Sequence, residues 1–443
     1  MYRSEGHAPT GVLVRRAQTA AHIDGPRWPF PKRRASGDRR RRRACATVAR
    51  PVATRVPLVK TELPTPTFAT VGVVGAGQLA RMMGEASAAA AVRVSVLASS
   101  TDDCAVAACA RAIIGSARDV NALRALAQSV DVVTFDHELV DLEVLELLER
   151  DGVVLRPSPS SLRYGVDKAF QRRALAAAGI PVPRFVTVGS GDGSVVDKFL
   201  DELDGPPVVK SARGGYDGRG VAFPRARDEA RSLVAAWSRD GEVVVEERLN
   251  LRGEVAQIVA RSVYGDVAFY PTVATAQRDG TCVEVRSPSG VTAANETQVH
   301  ELTRRLAELI KPVGVMAVEY FVTESGVTVN EVALRPHNSG HWTIEGTSAS
   351  QFVQHLRAVS GQRLGEITLN AEFAVMVNVL GGDSAGSLDD ARAVPGVFVH
   401  DYGKAWRPGR KLGHVTALGD EPDGPHVRAW TSARAYGTST REA

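Results

Sequence analysis

The chain has 443 residues, 44% of them hydrophobic and 6% aromatic, enough to bury several cores, so two to four domains are expected. Its net charge of +4 hides a split: residues 1–60 carry 15 Lys or Arg against Glu5, Asp24 and Asp38, an excess of +12 that leaves −8 for the remainder. An acidic body argues against a nucleic-acid-binding domain, and the absence of any apolar run of about 18 residues argues against a membrane-spanning helix. The four cysteines (Cys45, Cys104, Cys109, Cys282) form no C-x-x-C pair and read as inert thiols in a reducing cytoplasm.

Residues 1–68 show no hydrophobic period and include the run Arg39–Arg43 and prolines from Pro51 to Pro66. They are expected to form a disordered basic extension, dispensable or arising from a start assigned too far upstream; a transit peptide and a nucleic-acid arm are the alternatives. From Val71 the pattern changes. Strands are predicted at Val71–Val74, Val92–Leu97, Val130–Phe135 and Val153–Leu155, with helices at Gln78–Ala89, Val120–Ala127 and Leu142–Glu149. This alternation predicts a small α/β domain with a parallel sheet at 69–165. A helix from about Asp167 ends at Gly179-Ile180-Pro181, and mixed α+β structure follows over 166–371. Strands are predicted there at Val208–Lys210, Gly220–Phe223, Val243–Glu247, Glu254–Ser262, Val267–Thr272, Val315–Val322 and Val327–Val332, with helices at Arg227–Trp237, Thr297–Ile310 and Ser350–Val359. The section 372–443 reads as short strands (Phe373–Leu380, Val397–Tyr402, Gly413–Leu418) and one terminal helix.

Five segments carry chemistry. Gly75-Ala76-Gly77-Gln78-Leu79-Ala80 fits a strand–turn–helix that seats a phosphate on a helix N-terminus. A dinucleotide fold would add an acid at the end of the next strand, where Ala98-Ser99-Ser100 stands. A phosphate-bearing substrate and a purely structural turn remain as readings. The stretch Ser211–Gly220 sets four glycines and two arginines between apolar strands, suited to closing over a triphosphate, with Lys210 placed to meet a phosphate; a plain glycine-rich hairpin is the alternative. If the hairpin of Val315–Val322 and Val327–Val332 is centred on Ser325, Glu319 and Glu331 face each other. Two opposed carboxylates in apolar strands invite a divalent cation, unless they are solvated charges at an edge. The segment Arg335–Thr343 is dense in Arg, His, Asn and Ser, and suits a small oxyanion better than a zinc pair at His337 and His341, because Pro336 and Gly340 make it a loop. Finally, Lys404, Arg407, Arg410 and Lys411 cluster positive charge as for a phosphate monoester, or as a solvated loop.

In this order the segments resemble the ATP-grasp superfamily and, within it, the 5-(carboxyamino)imidazole ribonucleotide synthetases, from about Val71 to Leu418. The resemblance rests on Gly75–Met82, Thr134-Phe135-Asp136-His137-Glu138, Arg213–Gly220, Asn330–His341, Ser350-Gln351-Phe352 with His355–Ala358, and Arg410-Lys411-Leu412-Gly413-His414. It implies an α/β and α+β protein: an ATP-grasp fold (166–371) preceded by the small parallel-sheet domain and followed by a small β-rich C-terminal domain. It implies an ATP-dependent carbon–nitrogen ligase that carboxylates aminoimidazole ribonucleotide with bicarbonate by way of carboxyphosphate, a soluble cytoplasmic homodimer using Mg2+ or Mn2+. Lys168, Lys210, Gly214, Gly215, Tyr216, Asp217, Gly218, Arg219, Gly220, Gln277 and Asn330 would meet ATP, Glu246, Glu247, Arg248 and Leu249 would line the adenine, and Glu254 would take the ribose. Glu319 and Glu331 would hold the metal, with Arg335, His337 and Asn338 on bicarbonate. Gln78, Tyr216, Asp217, Lys404, Arg410 and Lys411 would hold the ribonucleotide, with Asp217 a candidate proton acceptor. Gln277 occupies a position often His, and Leu334 one often Pro. A formate-dependent glycinamide ribonucleotide transformylase is the nearest alternative; a nicotinamide oxidoreductase and a non-catalytic nucleotide-binding module are alternatives from other classes.

Overall fold

The alternating segments after residue 69 assemble a parallel sheet in the order β3-β2-β1-β4, where β1 is Ala69–Val74, β2 Val92–Ala98, β3 Arg111–Ile114 and β4 Val132–Phe135. The computed structural model describes residues 69–190, 193–215 and 220–438. The basic segment 1–68 and Tyr216, Asp217, Gly218 and Arg219, on which expectations were placed, lie outside the described residues. Helices begin where a carboxylate can satisfy free backbone donors: Asp119 accepts from Asn121 N and Asp141 from Glu143 N, opening helices Val120–Ala127 and Leu142–Arg150. Strand β3 was not predicted, since Arg111-Ala112-Ile113-Ile114 is too short to show a period. The expected strand at Val153–Leu155 reduces to one bridge, Leu155 to Val133.

A four-stranded antiparallel sheet follows, in the order β5-β8-β6-β7, with β5 Phe185–Val188, β6 Val208–Ser211, β7 Val221–Ala222 and β8 Val243–Glu246. Helices Gly193–Asp201 and Arg227–Trp237 cover it through Val196, Phe199, Leu200, Ala230 and Val234. Strands β6 and β7, on either side of the glycine-rich stretch, pair antiparallel through Val209 with Ala222 and Lys210 with Val221.

The largest sheet runs β14-β13-β9-β11-β12-β15-β17-β16, antiparallel throughout, with β10 also on β9. Its strands are β9 Gly253–Arg261, β10 Val267–Phe269, β11 Val273–Arg278, β12 Thr281–Ser287, β13 Gly314–Thr323, β14 Gly326–Ala333, β15 Phe373–Leu380, β16 Val397–Asp401 and β17 Lys411–Gly419. The last three strands therefore extend this sheet through the β12–β15 pairing. Helix Ala293–Ile310 packs on one face through Val299, Leu302 and Leu306 against Val255, Met316 and Tyr320. Among the described residues no helix is long and apolar enough to cross a membrane.

The parallel-sheet unit joins this body through helix Gln351–Val359, whose Phe352, Leu356 and Val359 pack with Val71, Val94 and Met83. Within that contact His355 is fully buried; its Nδ1 accepts from Val315 N at 3.1 Å, so its Nε2 donates to Thr134 Oγ1 at 2.8 Å. Burial pushes this imidazole down to about 3. The unfolded chain takes up the proton near pH 6.5 and the folded one only near 3, so this stability is complete above 6.5 and is lost as pH falls, by about 1.4 kcal/mol per unit. Between pH 7 and 5 the wild type is expected to lose about 2 kcal/mol more than His355→Gln in urea unfolding. Parallel pH slopes for the two proteins would show that the buried imidazole does not govern the contact.

Candidate functional site

The two acids on which the metal expectation rests face each other, but not by the register expected. The hairpin turns on two residues, Glu324 and Ser325, so that Thr323 pairs with Gly326 and Tyr320 with Val329. That register alone would set Glu319 against Asn330. A bulge between Glu319 and Tyr320 inserts Asn330 as the extra residue and brings Glu331 opposite Glu319. Asn330 then ties three elements together: its Nδ2 reaches Glu319 Oε2 at 3.4 Å, its Oδ1 accepts from Lys210 Nζ at 3.3 Å, and its carbonyl accepts from Arg172 at 2.7 Å.

The cations are arranged around these acids. Lys168 Nζ lies 2.9 Å from Glu331 Oε1, and His337 Nε2 lies 3.6 Å from Glu319 Oε1. Burial and the facing Glu331 push the Glu319 carboxyl up to about 8. Glu331 stands deep in the cleft yet keeps 45% of its side-chain surface open to solvent; burial would raise it, but Lys168 and Lys210 outweigh burial and hold it at about 2. Glu254, on the neighbouring β9, is raised by burial to about 7. Two facing carboxylates, one pushed up and one held down, offer oxygen donors that a shared divalent ion would use, and this donor set fits Mg2+. Among the described residues no three His, Cys, Asp or Glu side chains gather into an all-protein metal cage.

Lys210, expected to meet a phosphate, is buried and sits 2.7 Å from Glu246 Oε2, while Arg172 Nε holds Glu246 Oε1 at 2.6 Å. Burial lowers Lys210, and the same two cations overcome burial to hold Glu246 at about 2. The Glu246 side chain thus stands in an internal ion triad with Arg172 and Lys210, at the start of the segment expected to line the adenine. Glu247 Oε1 accepts from Arg184 N, Arg248 lies over the Phe223 ring at 5.6 Å, and Leu249 is half-buried. Gln277 sits at a second bulge, opposite Cys282. Arg172 escaped the sequence reading, although its place one turn beyond Lys168 on helix Lys168–Ala177 was visible. Removing one partner of a buried ion group strands the other charge, so Arg172→Met is expected to cost about 3 to 5 kcal/mol of stability in urea unfolding. A loss below about 1 kcal/mol would mean that Lys210 alone satisfies Glu246.

The Arg335 loop is held from two sides. Arg335 Nε donates to Glu138 Oε2 at 2.6 Å, joining it to the loop after β4. Gln351 accepts from His337 N at 2.8 Å and donates to His337 O at 2.7 Å. The amide nitrogen of Asn338 is buried without a hydrogen-bond partner, a donor left for an oxyanion. His341 turns instead to Gln351 and His414, so the two loop histidines form no metal pair.

The glycine turn and the basic loop, more than 300 residues apart in sequence, meet: Lys404 Nζ donates to Gln78 Oε1, and Arg81 donates to Tyr402 O at 3.3 Å. Burial lowers Lys404, and the charges of Arg410 and Lys411 add to it. Gly77 N donates to the buried Asp136 Oδ2 at 2.7 Å, and Gly75, at φ +103°, is required because a Cβ there would lie 1.8 Å from Asp136 Oδ1. Asp103, in the segment after β2, accepts from Ser99 and Ser100. On the glycine hairpin, Gly214 and Gly220 both adopt positive φ, and Gly220 O accepts from Ser211 N at 2.8 Å; Gly215 precedes the segment outside the described residues.

Family models match three consecutive parts of the chain: a ribonucleotide synthetase preATP-grasp domain at 68–165, an ATP-grasp domain at 173–352, and a phosphoribosylaminoimidazole carboxylase C-terminal domain at 374–424. The N5-carboxyaminoimidazole ribonucleotide synthase of Mycobacterium tuberculosis is 46% identical over 361 residues, 79% of this chain and 84% of the relative. That of Corynebacterium ammoniagenes is 38% identical over 81% of this chain and 89% of its own length. The solved Aspergillus clavatus N5-carboxyaminoimidazole synthase, in complex with ADP and 5-aminoimidazole ribonucleotide, superposes with a TM-score of 0.75 at 30% identity, covering 83% of this chain and 98% of that one. Identity at this level over nearly the whole length of such relatives places the chain in the N5-carboxyaminoimidazole ribonucleotide synthase family of ATP-grasp enzymes, which are ATP-dependent, ADP-forming ligases.

Proposed function

We propose that the chain carboxylates 5-aminoimidazole ribonucleotide in purine biosynthesis, using ATP and bicarbonate, with Glu319 and Glu331 holding Mg2+. The single observation behind this assignment is the bulge that sets the two carboxylates opposite each other beside Lys168 and Lys210. The ion would neutralise phosphate charge as the terminal phosphoryl group moves. Lys168 and Lys210 would turn from their carboxylate and amide partners to those phosphates. Glu254, uncharged or charged near neutral pH, would accept from ribose hydroxyls.

The phosphoryl group passes from ATP to a bicarbonate oxygen, and ADP leaves. Arg335, fixed by Glu138, with His337 and Asn338 would orient bicarbonate and the carboxyphosphate formed from it. The exocyclic amine of the ribonucleotide then attacks the carboxyl carbon; the new C–N bond forms as the C–O bond to phosphate breaks, and the amine proton passes to a base, for which Asp217 is our candidate. Lys404, Arg410, Lys411 and Gln78 would hold the nucleotide phosphate at the glycine turn. The reading carries a cytoplasmic location and a homodimer, the latter open to analytical sedimentation.

The deciding experiment is ADP release in bicarbonate buffer with and without aminoimidazole ribonucleotide. Turnover should require both. Turnover with formate and glycinamide ribonucleotide instead would reject the assignment in favour of the transformylase.

A further inference from the structure

Three imidazoles from distant parts of the sequence form one stack. His400 and His414 are paired residues on β16 and β17, their rings 4.4 Å apart and 10° from parallel. His341, from the loop that also carries Arg335, His337 and Asn338, lies 4.9 Å from the His414 ring and is tilted 35° to it. Each end is fixed: His400 Nε2 meets Glu345 Oε1 at 2.6 Å, and His341 Nδ1 meets Gln351 Nε2 at 3.2 Å. That same Gln351 side chain brackets the backbone of His337. The middle ring takes one polar contact, from the buried Tyr402 hydroxyl to its Nδ1 at 2.8 Å, and Tyr402 in turn lies 5.5 Å beneath the Lys404 ammonium.

A continuous chain of contacts therefore runs from Lys404 through Tyr402, His414, His341 and Gln351 to His337. His414 is wholly buried, and its Nε2 has no hydrogen-bond partner. A ring needed only to fill space would be better as Phe, since an unpaired buried nitrogen costs free energy. What the imidazole adds over Phe is the acceptor for Tyr402. Burial holds both His341 and His414 well below the usual imidazole range, so these two rings are neutral and their role is geometric.

We propose that His414 is a positioning residue for the ribonucleotide: the middle of a clamp that keeps loop 403–410, with its cations, at fixed spacing from loop 335–342. The clamp rests on the assignment of those loops made above for the ribonucleotide and for bicarbonate. A loosened clamp lets carboxyphosphate form while the amine is misplaced, so the intermediate is lost to water.

The test measures, for each variant, KM for aminoimidazole ribonucleotide, KM for ATP, and carboxylated product formed per ADP. His414→Ala should raise the ribonucleotide KM by about ten- to a hundredfold and lower product per ADP, with the ATP KM changed less than about twofold. Tyr402→Phe, which removes one oxygen, and His414→Phe, which keeps the stack, should shift the same two quantities in the same direction by a smaller factor. A uniform loss across both substrates, or unchanged product per ADP, overturns the clamp and leaves His414 a packing residue. Lys411→Ala separates the two layers of inference. If it too leaves the ribonucleotide KM unchanged, the loop assignment is wrong; if it raises that KM while His414→Ala does not, only the clamp is wrong. Should His414→Ala fail to fold, Tyr402→Phe decides alone.

Discussion

Glu331→Gln is expected to lower the rate of ADP formation by about 10²- to 10³-fold and to raise the Mg2+ concentration needed for half-maximal activity. Gln has the same shape, can pair across the ribbon, and its amide oxygen can still accept from Lys168, so the bulge and the strand pairing should persist. What it loses is charge at the one acid of the pair that stays ionised at every working pH, because Lys168 and Lys210 hold it at about 2. Glu319 cannot take over alone: with a neutral Gln opposite it one of the two causes of its raised carboxyl is gone, but a single carboxylate supplies only half of the charge and half of the oxygen ligands of the pair. Ligand-free thermal unfolding should move little, which separates this loss from misfolding. A rate within about threefold of wild type would remove Glu331 from the metal site and the proposed chemistry with it.

The facing acids show what the sequence disclosed and what it concealed. Two carboxylates in strands otherwise made of Val, Tyr and Phe were visible as a problem needing a cation, and that argument did not depend on register. The pairing itself came out right for a wrong reason, because hairpin centre and bulge shift the register by one residue in opposite senses. A bulge leaves no periodic signal, and Asn330 reads equally well as an ordinary strand residue. The β11–β12 hairpin was overlooked although Asp279-Gly280, both at positive φ, is a strong two-residue turn signal. Its strands carry Thr275, Gln277, Glu284 and Arg286, too polar to read as core. Partners contributed from elsewhere in the chain were the least legible: nothing local says that Arg172 will hold Glu246, or that Glu138 will hold Arg335. The contact between Gln78 and Lys404 could be named only because the resemblance put both on one substrate.

That last class of contact sets the second large effect, at Arg335. Arg335→Lys is expected to reduce bicarbonate-dependent ADP formation by about 10²-fold or more while the ATP KM stays near wild type. The guanidinium is used at several points at once: Nε donates to Glu138 at 2.6 Å and Nη1 to Pro336 O at 3.1 Å, which fixes its plane and leaves its remaining donors for a ligand. A lysine ammonium has the charge but no fork, so it can hold Glu138 or an oxyanion, but not both in one rigid geometry. Burial disfavours the charged guanidinium, yet Glu138 outweighs it and keeps Arg335 firmly protonated. Glu138→Gln should therefore fall between wild type and Arg335→Lys, since the arginine keeps its charge but is held less rigidly. The KM for bicarbonate should rise in both variants, and more in the lysine one. If Arg335→Lys turned over normally, the loop would be holding a charge rather than a shaped oxyanion, and the bicarbonate site would have to be sought elsewhere in the cleft.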